Sequence, residues 1–356
     1  MKLYQCGHCA HPVYFENTGC ENCGYDLAYF APGDRIVAQP AGGTTWTPAP
    51  DPTPYQYCEN HAHGVCNWLV PAGALDNGLC TACDLNRTIP NLSRPANVAE
   101  WGELETAKHR LVYALLRLGL PVVDRLTDPE HGLAFDFLSP ADSPEPVLTG
   151  HDAGLITMNL TEADPVTREA NRVQLDERYR TLIGHFRHEV GHYYWDRLVA
   201  TDDHQLALFR RHFGDERADY QEALDQHYAN GAPADWATHY ISAYATMHPW
   251  EDWAETWAHY LHLLDLVETA HHFGLSVAPA VDETGTMTAR ADFDPYAEAD
   301  LDRILAVCVP LTYAVNSLNR GMGRPDLYPF VLNESVREKL GYVHQLVRTP
   351  RGNSPD

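Results

Sequence analysis

Eight of the nine cysteines fall between positions 6 and 83, and no other feature of this 356-residue chain limits its possible folds so strongly. Cys6-Gly7-His8-Cys9 and Cys20-Glu21-Asn22-Cys23 are two C-x2-C knuckles ten residues apart. A two-residue gap followed by a turn lets both thiolates of a knuckle reach one tetrahedral Zn²⁺, and a second knuckle closes the coordination shell. Residues 1–39 are therefore expected to form a structural zinc ribbon. Cys58, Cys66, Cys80 and Cys83 form a second group whose first gap holds seven residues. His61 and His63 lie inside that gap, so either could replace a cysteine. A second zinc-binding module is expected over 56–95, with a redox pair, or partners exchanged between the two groups, as the alternatives. Cys308 stands alone in an apolar helical run and reads as a small core residue.

The start, MKLYQCGHC, has no apolar signal-peptide core, so the expected compartment is the cytoplasm. Clustered thiols in a reducing compartment hold metal more often than they form disulfides. The formal charge of −24 sets the chain against nucleic acid and anionic membranes. Zinc ribbons often serve nucleic-acid proteins, but residues 1–95 carry only Lys2, Arg35, Arg87 and Arg94 against eight acids. A phosphate binder needs a basic stripe, and here there is none, so no nucleic-acid partner is expected. The apolar stretches read as well short of the roughly 18 residues that span a bilayer, so no membrane partner is expected either. The ribbons are left with a structural role or with contact to a protein partner. Between them, residues 40–55 are rich in Pro, Gly and Thr and are expected to be an extended, semi-rigid linker.

From Asn97 to about Leu118 the apolar positions Trp101, Leu104, Leu111, Val112, Leu115 and Leu118 follow helical spacing, which Gly119 and Pro121 end. Short strand-like runs follow at 133–138, 146–149 and 155–160. After about residue 166 the pattern is almost entirely helical. The expected class is α+β: a mainly helical domain with a small sheet over 96–350, preceded by the metal modules.

His188-Glu189-Val190-Gly191-His192 lies in a proline-free helical stretch. Histidines at i and i+4 point the same way, so both imidazoles can reach one zinc. Glu189, next to the first of them, can take a proton from water at the metal. The plainer alternative is two surface histidines and a glutamate on a helix. Gly191 counts against it, since a mid-helix glycine costs about 1 kcal/mol and wants a packing reason. A catalytic zinc takes a third protein ligand and keeps one open position. The extension that would supply a third histidine needs Gly at 195 and His at 198, but Trp195 and Leu198 stand there. Residues 248–264 offer Glu251, Glu255, His259 and His262 opposite an apolar stripe of Trp250, Trp253, Ala254, Trp257, Leu261 and Leu264. Glu251 could be the ligand with Glu255 on the free N–H of a ligand histidine. After Pro249 it could equally be a first-turn acid complementing the helix dipole. Glu216 and Asp219 are rival third ligands.

These stretches carry a resemblance. CNWLV (66–70), HFRHEVGHYYWDRL (185–198), GDERADY (214–220), HPWEDWAETWAHYLH (248–262) and LNRGMGRPDLYPF (318–330) resemble a bacterial family of zinc-binding metallopeptidases that joins an N-terminal zinc ribbon to a zincin-type domain. The resemblance covers nearly the whole chain and implies peptide or protein substrates and one catalytic Zn²⁺ beside two structural ones. The site is also similar to that of gluzincins, in which the ligand glutamate starts a Glu-x-x-x-acid pattern. That likeness implies His188, His192 and Glu251 as zinc ligands, Glu189 as general base and Glu255 as support for a ligand histidine. Tyr244, seven residues before Glu251, matches the tyrosine of lethal-factor-like gluzincins and would stabilise the oxyanion or protonate the leaving amine. A strand within 146–160, with GHDAG (150–154), is expected to border the substrate, as in zincins. The alternative function is a non-catalytic, zinc-stabilised protein-interaction module on a zincin-like fold.

Overall fold

A computed structural model describes residues 2–73, 77–174 and 180–349, and its chain divides into two compact units. The first joins Met1–Tyr113 with Val123–Arg168; the second joins Ala114–Val122 with Glu169–Asp356.

In the first unit β1 (Tyr4–Gln5) and β2 (Pro12–Val13) pair antiparallel around the first knuckle, and β3 (Asp26–Phe30) pairs antiparallel with β4 (Arg35–Gln39). β5 (Tyr55–Tyr57) and β6 (Leu69–Pro71) form a third hairpin. Ala28, Phe30, Val37, Trp46, Tyr55 and Leu69 share one apolar core. The 40–55 segment is thus more than an extended spacer. Trp46, only 2% exposed, exchanges both backbone hydrogen bonds with Tyr55, at 2.8 and 2.7 Å. One buried indole removes enough apolar surface to pin a segment whose composition otherwise favours solvent. The two cysteine-bearing stretches are further joined where Asn67 Nδ2 donates to the Phe15 carbonyl at 2.7 Å and Tyr57 donates to the Leu27 carbonyl at 2.9 Å.

A four-stranded sheet follows, in the order β7 (Asn86–Thr88), β8 (Ala134–Leu138), β10 (Leu155–Asn159), β9 (Gly150–Asp152). β8 runs parallel to both neighbours, Leu155 facing Ala134 and Asn86 facing Phe135, while β9 returns antiparallel at an edge. β7 comes from the second cysteine module, which is why residues 123–168 cluster with the N-terminal residues rather than with the later helices. The strand expected at 146–149 is displaced to 150–152. Asn159 holds that stretch through its side chain, Nδ2 donating to the Val147 carbonyl at 2.9 Å, and Leu148 stays 78% exposed. Helix α1 (Pro95–Arg117) buries Trp101, Leu104, Leu111, Val112 and Leu115, the stripe its periodicity predicts.

Helix α2 (Pro165–Gln174) leads to the second unit. There α3 (Leu182–Leu198), α4 (Asp203–Phe213), α5 (Tyr220–Asn230), α6 (Pro249–His272), α7 (Leu301–Gly321) and α8 (Glu334–Arg348) follow in turn, and α3, α4, α7 and α8 pack against α6. Trp253, Trp257, Tyr260, Leu261 and Leu264 of α6 are all but fully buried. A short hairpin of β11 (Ser276–Val277) and β12 (Ala289–Arg290) precedes α7. α8 is tied to α6 by the buried pair Lys339–Asp252, 2.6 Å apart. One sequence expectation needs correction: α7 is long and apolar enough to cross a membrane by length and composition alone. It buries Ile304, Leu305, Val307, Cys308 and Leu311 along one side, which is where Cys308 goes.

Candidate functional site

Helices α3 and α6 cross closely enough to place histidines against carboxylates. Thr181 caps α3 by accepting from the Gly184 N–H at 3.1 Å. Gly191 supplies the close approach: a Cβ there would lie 3.1 Å from Ala254 Cα and 3.3 Å from Trp257 Cβ, so only glycine fits without a shift. Trp253 Nε1 seals the crossing by donating to the Gly191 carbonyl at 2.8 Å. α6 starts on Pro249, with His248 Nδ1 accepting from the Trp250 N–H at 3.1 Å. The other ring nitrogen of His248 therefore donates, reaching the Ala218 carbonyl at 3.1 Å.

At this crossing His188 Nε2 lies 2.9 Å from Glu251 Oε2, and His192 Nε2 lies 3.4 Å from Glu251 Oε1. Ligand atoms about 2.0–2.1 Å from a tetrahedral zinc are about 3.3 Å from one another, so the two contacts bracket the spacing a zinc site needs. Glu251 is 2% exposed and faces two imidazoles, which does not suit a solvent-side dipole partner. Burial alone would push its carboxyl upward, but His192 and His188 hold it well below the ordinary range. His188 behaves reciprocally: burial favours the neutral ring, yet Glu251 and Glu255 raise it well above its usual value. A cation seated among these groups would replace that proton. Glu255 Oε1 meets His188 Nδ1 at 2.8 Å, a contact that fixes the tautomer and leaves Nε2 facing Glu251.

Glu189 is half-buried beside the cluster, and burial raises its carboxyl despite the pull of His188 and His192. The Tyr244 ring stands 6.0 Å from that of His188, and burial together with Glu251 keeps its phenol protonated as a donor. The rival ligands go elsewhere: Glu216 pairs with Arg210, and Asp219 caps α5 by accepting from the Glu222 N–H at 2.9 Å. His259 Nδ1 meets the Tyr328 hydroxyl at 2.8 Å, while His262 Nδ1 meets Arg187, so both serve the helix core. The residue that sequence reasoning passed over is Tyr220, whose hydroxyl donates to Glu251 Oε1 at 3.0 Å. It ends the GDERADY stretch, but only the tertiary fold brings residue 220 to 251.

The cysteines gather in two fours, Cys6–Cys9–Cys20–Cys23 and Cys58–Cys66–Cys80–Cys83. The closest sulfur pairs are 3.7 and 3.8 Å apart in the first group and 3.7 Å in the second. Four sulfurs about 2.3 Å from one zinc would be about 3.8 Å apart, so both sets fit a closed tetrahedral site. Asn22 Nδ2 on Cys9 Sγ lowers that thiol to about 6, toward the thiolate a metal requires. His61 stays out of the second set; its Nδ1 meets the Cys66 carbonyl at 2.8 Å and its ring stacks on Tyr57. His63 lies against Trp101. The histidine beside the second cluster is instead His109, whose Nε2 is 3.6 Å from Cys83 Sγ; it belongs to a later helix, so the cysteine spacing carried no sign of it.

Residues 3–94 match a zinc-ribbon domain, and residues 97–346 match a family described as "Putative zinc-binding metallo-peptidase". Uncharacterized proteins of Mycobacterium bovis and of two strains of Mycobacterium tuberculosis are each 44% identical over 347 residues, covering 98% of this chain and 95% of the relative. No solved structure matches the chain. On the length of the match and the arrangement of its histidines and cysteines, the chain belongs to this zinc-binding metallopeptidase family and carries the zinc-ribbon domain at its N-terminal side.

Proposed function

We propose that the chain hydrolyses peptide bonds of a peptide or protein substrate at a zinc site held by His188, His192 and Glu251, with one structural zinc in each cysteine cluster. The observation that carries this reading is the buried Glu251 carboxylate set between two imidazoles, with Glu255 on the outer nitrogen of His188. When bound, zinc supplies Lewis acidity that polarises a carbonyl and brings water within reach of ionisation near neutral pH. Glu189, adjacent to His188 in the chain, takes the proton of the attacking water and passes it to the leaving amine. Glu255 keeps the Nδ1 proton of His188 in place, so that Nε2 stays an acceptor. Tyr244 turns its phenol to the oxyanion or the leaving nitrogen when substrate enters. The clustered thiols support a cytoplasmic location.

The test is cleavage of a peptide library by the zinc-replete chain, mapped by mass spectrometry, with Glu189→Gln as control. Cleavage by the wild type that disappears in the control is the expected result. No cleavage by either protein would favour the non-catalytic interaction module, and fragments unchanged in the control would overturn the role given to Glu189.

A further inference from the structure

Helix α5 has no buried residue, which is unusual for a helix beside a reactive cluster. Its apolar surface gives it little hold on the rest of the unit. Two side chains nevertheless reach inward. The His227 ring stands 5.9 Å from that of Tyr244, and Tyr220, the first residue of the helix, donates its hydroxyl to Glu251 Oε1 at 3.0 Å. Tyr220 remains 38% exposed, so its phenol lines an opening rather than filling a core. Burial and the Glu251 carboxylate push its phenol upward, so it stays a donor.

A glutamate ligand turns about three side-chain bonds, and a carboxylate that holds a metal through one oxygen leaves the other free to rotate it away. Metal sites counter this with a donor on the second oxygen, and losing such a partner commonly costs about 10–100-fold in metal affinity. The Glu251 carboxylate has Oε2 toward His188, while Oε1 takes the Tyr220 hydroxyl at 3.0 Å and lies 3.4 Å from His192 Nε2. The plainer role for Tyr220 is packing, since its ring lies 5.3 Å from His248 and 6.3 Å from Trp250 at the start of α6.

We infer that Tyr220 is a positioning residue for the metal site: its hydroxyl holds the Glu251 carboxylate in the orientation that binds the ion, and its place on a helix outside the core couples the grip of that ligand to the docking of α5. The inference rests on the zinc reading of His188, His192 and Glu251. Substitution separates the hydroxyl from the ring, because Tyr220→Phe keeps the packing and removes only the donor, whereas Tyr220→Ala removes both.

The experiment follows zinc transfer from the full-length chain to a chromogenic chelator, with the histidine-site phase identified by its absence in His188→Ala. Tyr220→Phe should weaken zinc binding in that phase by about 10–100-fold, nearly as much as Tyr220→Ala, with an unchanged melting temperature. Cobalt loaded into that site should show a shifted visible absorption in Tyr220→Phe. Wild-type release and an unaltered cobalt spectrum in Tyr220→Phe would overturn the inference while leaving the zinc reading intact. A release profile unaltered in His188→Ala would overturn both. Should Tyr220→Ala fail to fold, the Phe variant decides alone.

Discussion

The two cysteine clusters and the His188–His192–Glu251 cluster differ in what surrounds the ligand atoms. Each cysteine set offers four sulfurs and so a complete tetrahedral shell, built on short hairpins. The histidine set offers three side chains from two long helices, with Glu189 next to one of them and two phenols close by. A closed shell can only hold a fold together; a three-ligand shell leaves a position for water or substrate. Small hairpins with little core need the metal for stability, whereas α3 and α6 are already secured by buried tryptophans. Metal loss should therefore unfold one region and merely inactivate the other.

The largest effect tests that contrast directly. Cys66 is buried, and its sulfur accepts from the Trp68 N–H at 3.4 Å. Structural zinc contributes on the order of 10–16 kcal/mol of apparent binding free energy, so Cys66→Ser should open the first unit to limited proteolysis and alter tryptophan fluorescence. His188→Ala should do neither. Equal protease resistance in Cys66→Ser and wild type would break the contrast. Next, Glu189→Gln should lower kcat by about 10²–10⁴-fold while zinc content holds, as measured by hydrolysis of a cleaved peptide beside metal analysis. A fall in zinc content would make Glu189 a structural group instead.

A smaller effect concerns pH. His259 is buried against Tyr328, and burial lowers it to about 4. It stays neutral in the fold while the unfolded chain takes up a proton below about 6.5, so its contribution is full above that pH and is lost as pH falls toward 4. Chemical denaturation at pH 7 and pH 4.5 should show wild type losing on the order of 2 kcal/mol more than His259→Gln. Equal losses would mean the histidine is already charged in the fold. Smallest is Gly191→Ala. Overpacking commonly costs about 1–3 kcal/mol, and the gain in helix propensity returns about 1, so a net loss of about 1 kcal/mol in thermal melts is expected. A stabilised variant would show that the α3–α6 crossing yields more easily than the 3.1 Å approach to Ala254 implies.

The parts legible in the sequence are those in which partners sit a few residues apart. His188 with His192, Glu251 with Glu255, and the C-x2-C pairs all follow from one turn of local structure. The stripe of α1 and the strands β8 and β10 follow from apolar periodicity in the same way. Partners brought in by tertiary packing left no local sign. Tyr220 meets Glu251 across 31 positions, and His109 meets Cys83 across 26. Trp46 lay in a segment whose proline and glycine content hid the buried indole that helps anchor it. The stretch 146–149 reads as a short strand-like run between turn residues, but the Asn159 side chain takes up the Val147 carbonyl instead.

The central claim is that the chain holds two closed thiolate sites and one open histidine–carboxylate site, and metal analysis of purified protein tests it most directly. The account predicts three zinc per chain in wild type and two in His188→Ala. Two zinc per chain in both proteins would contradict it.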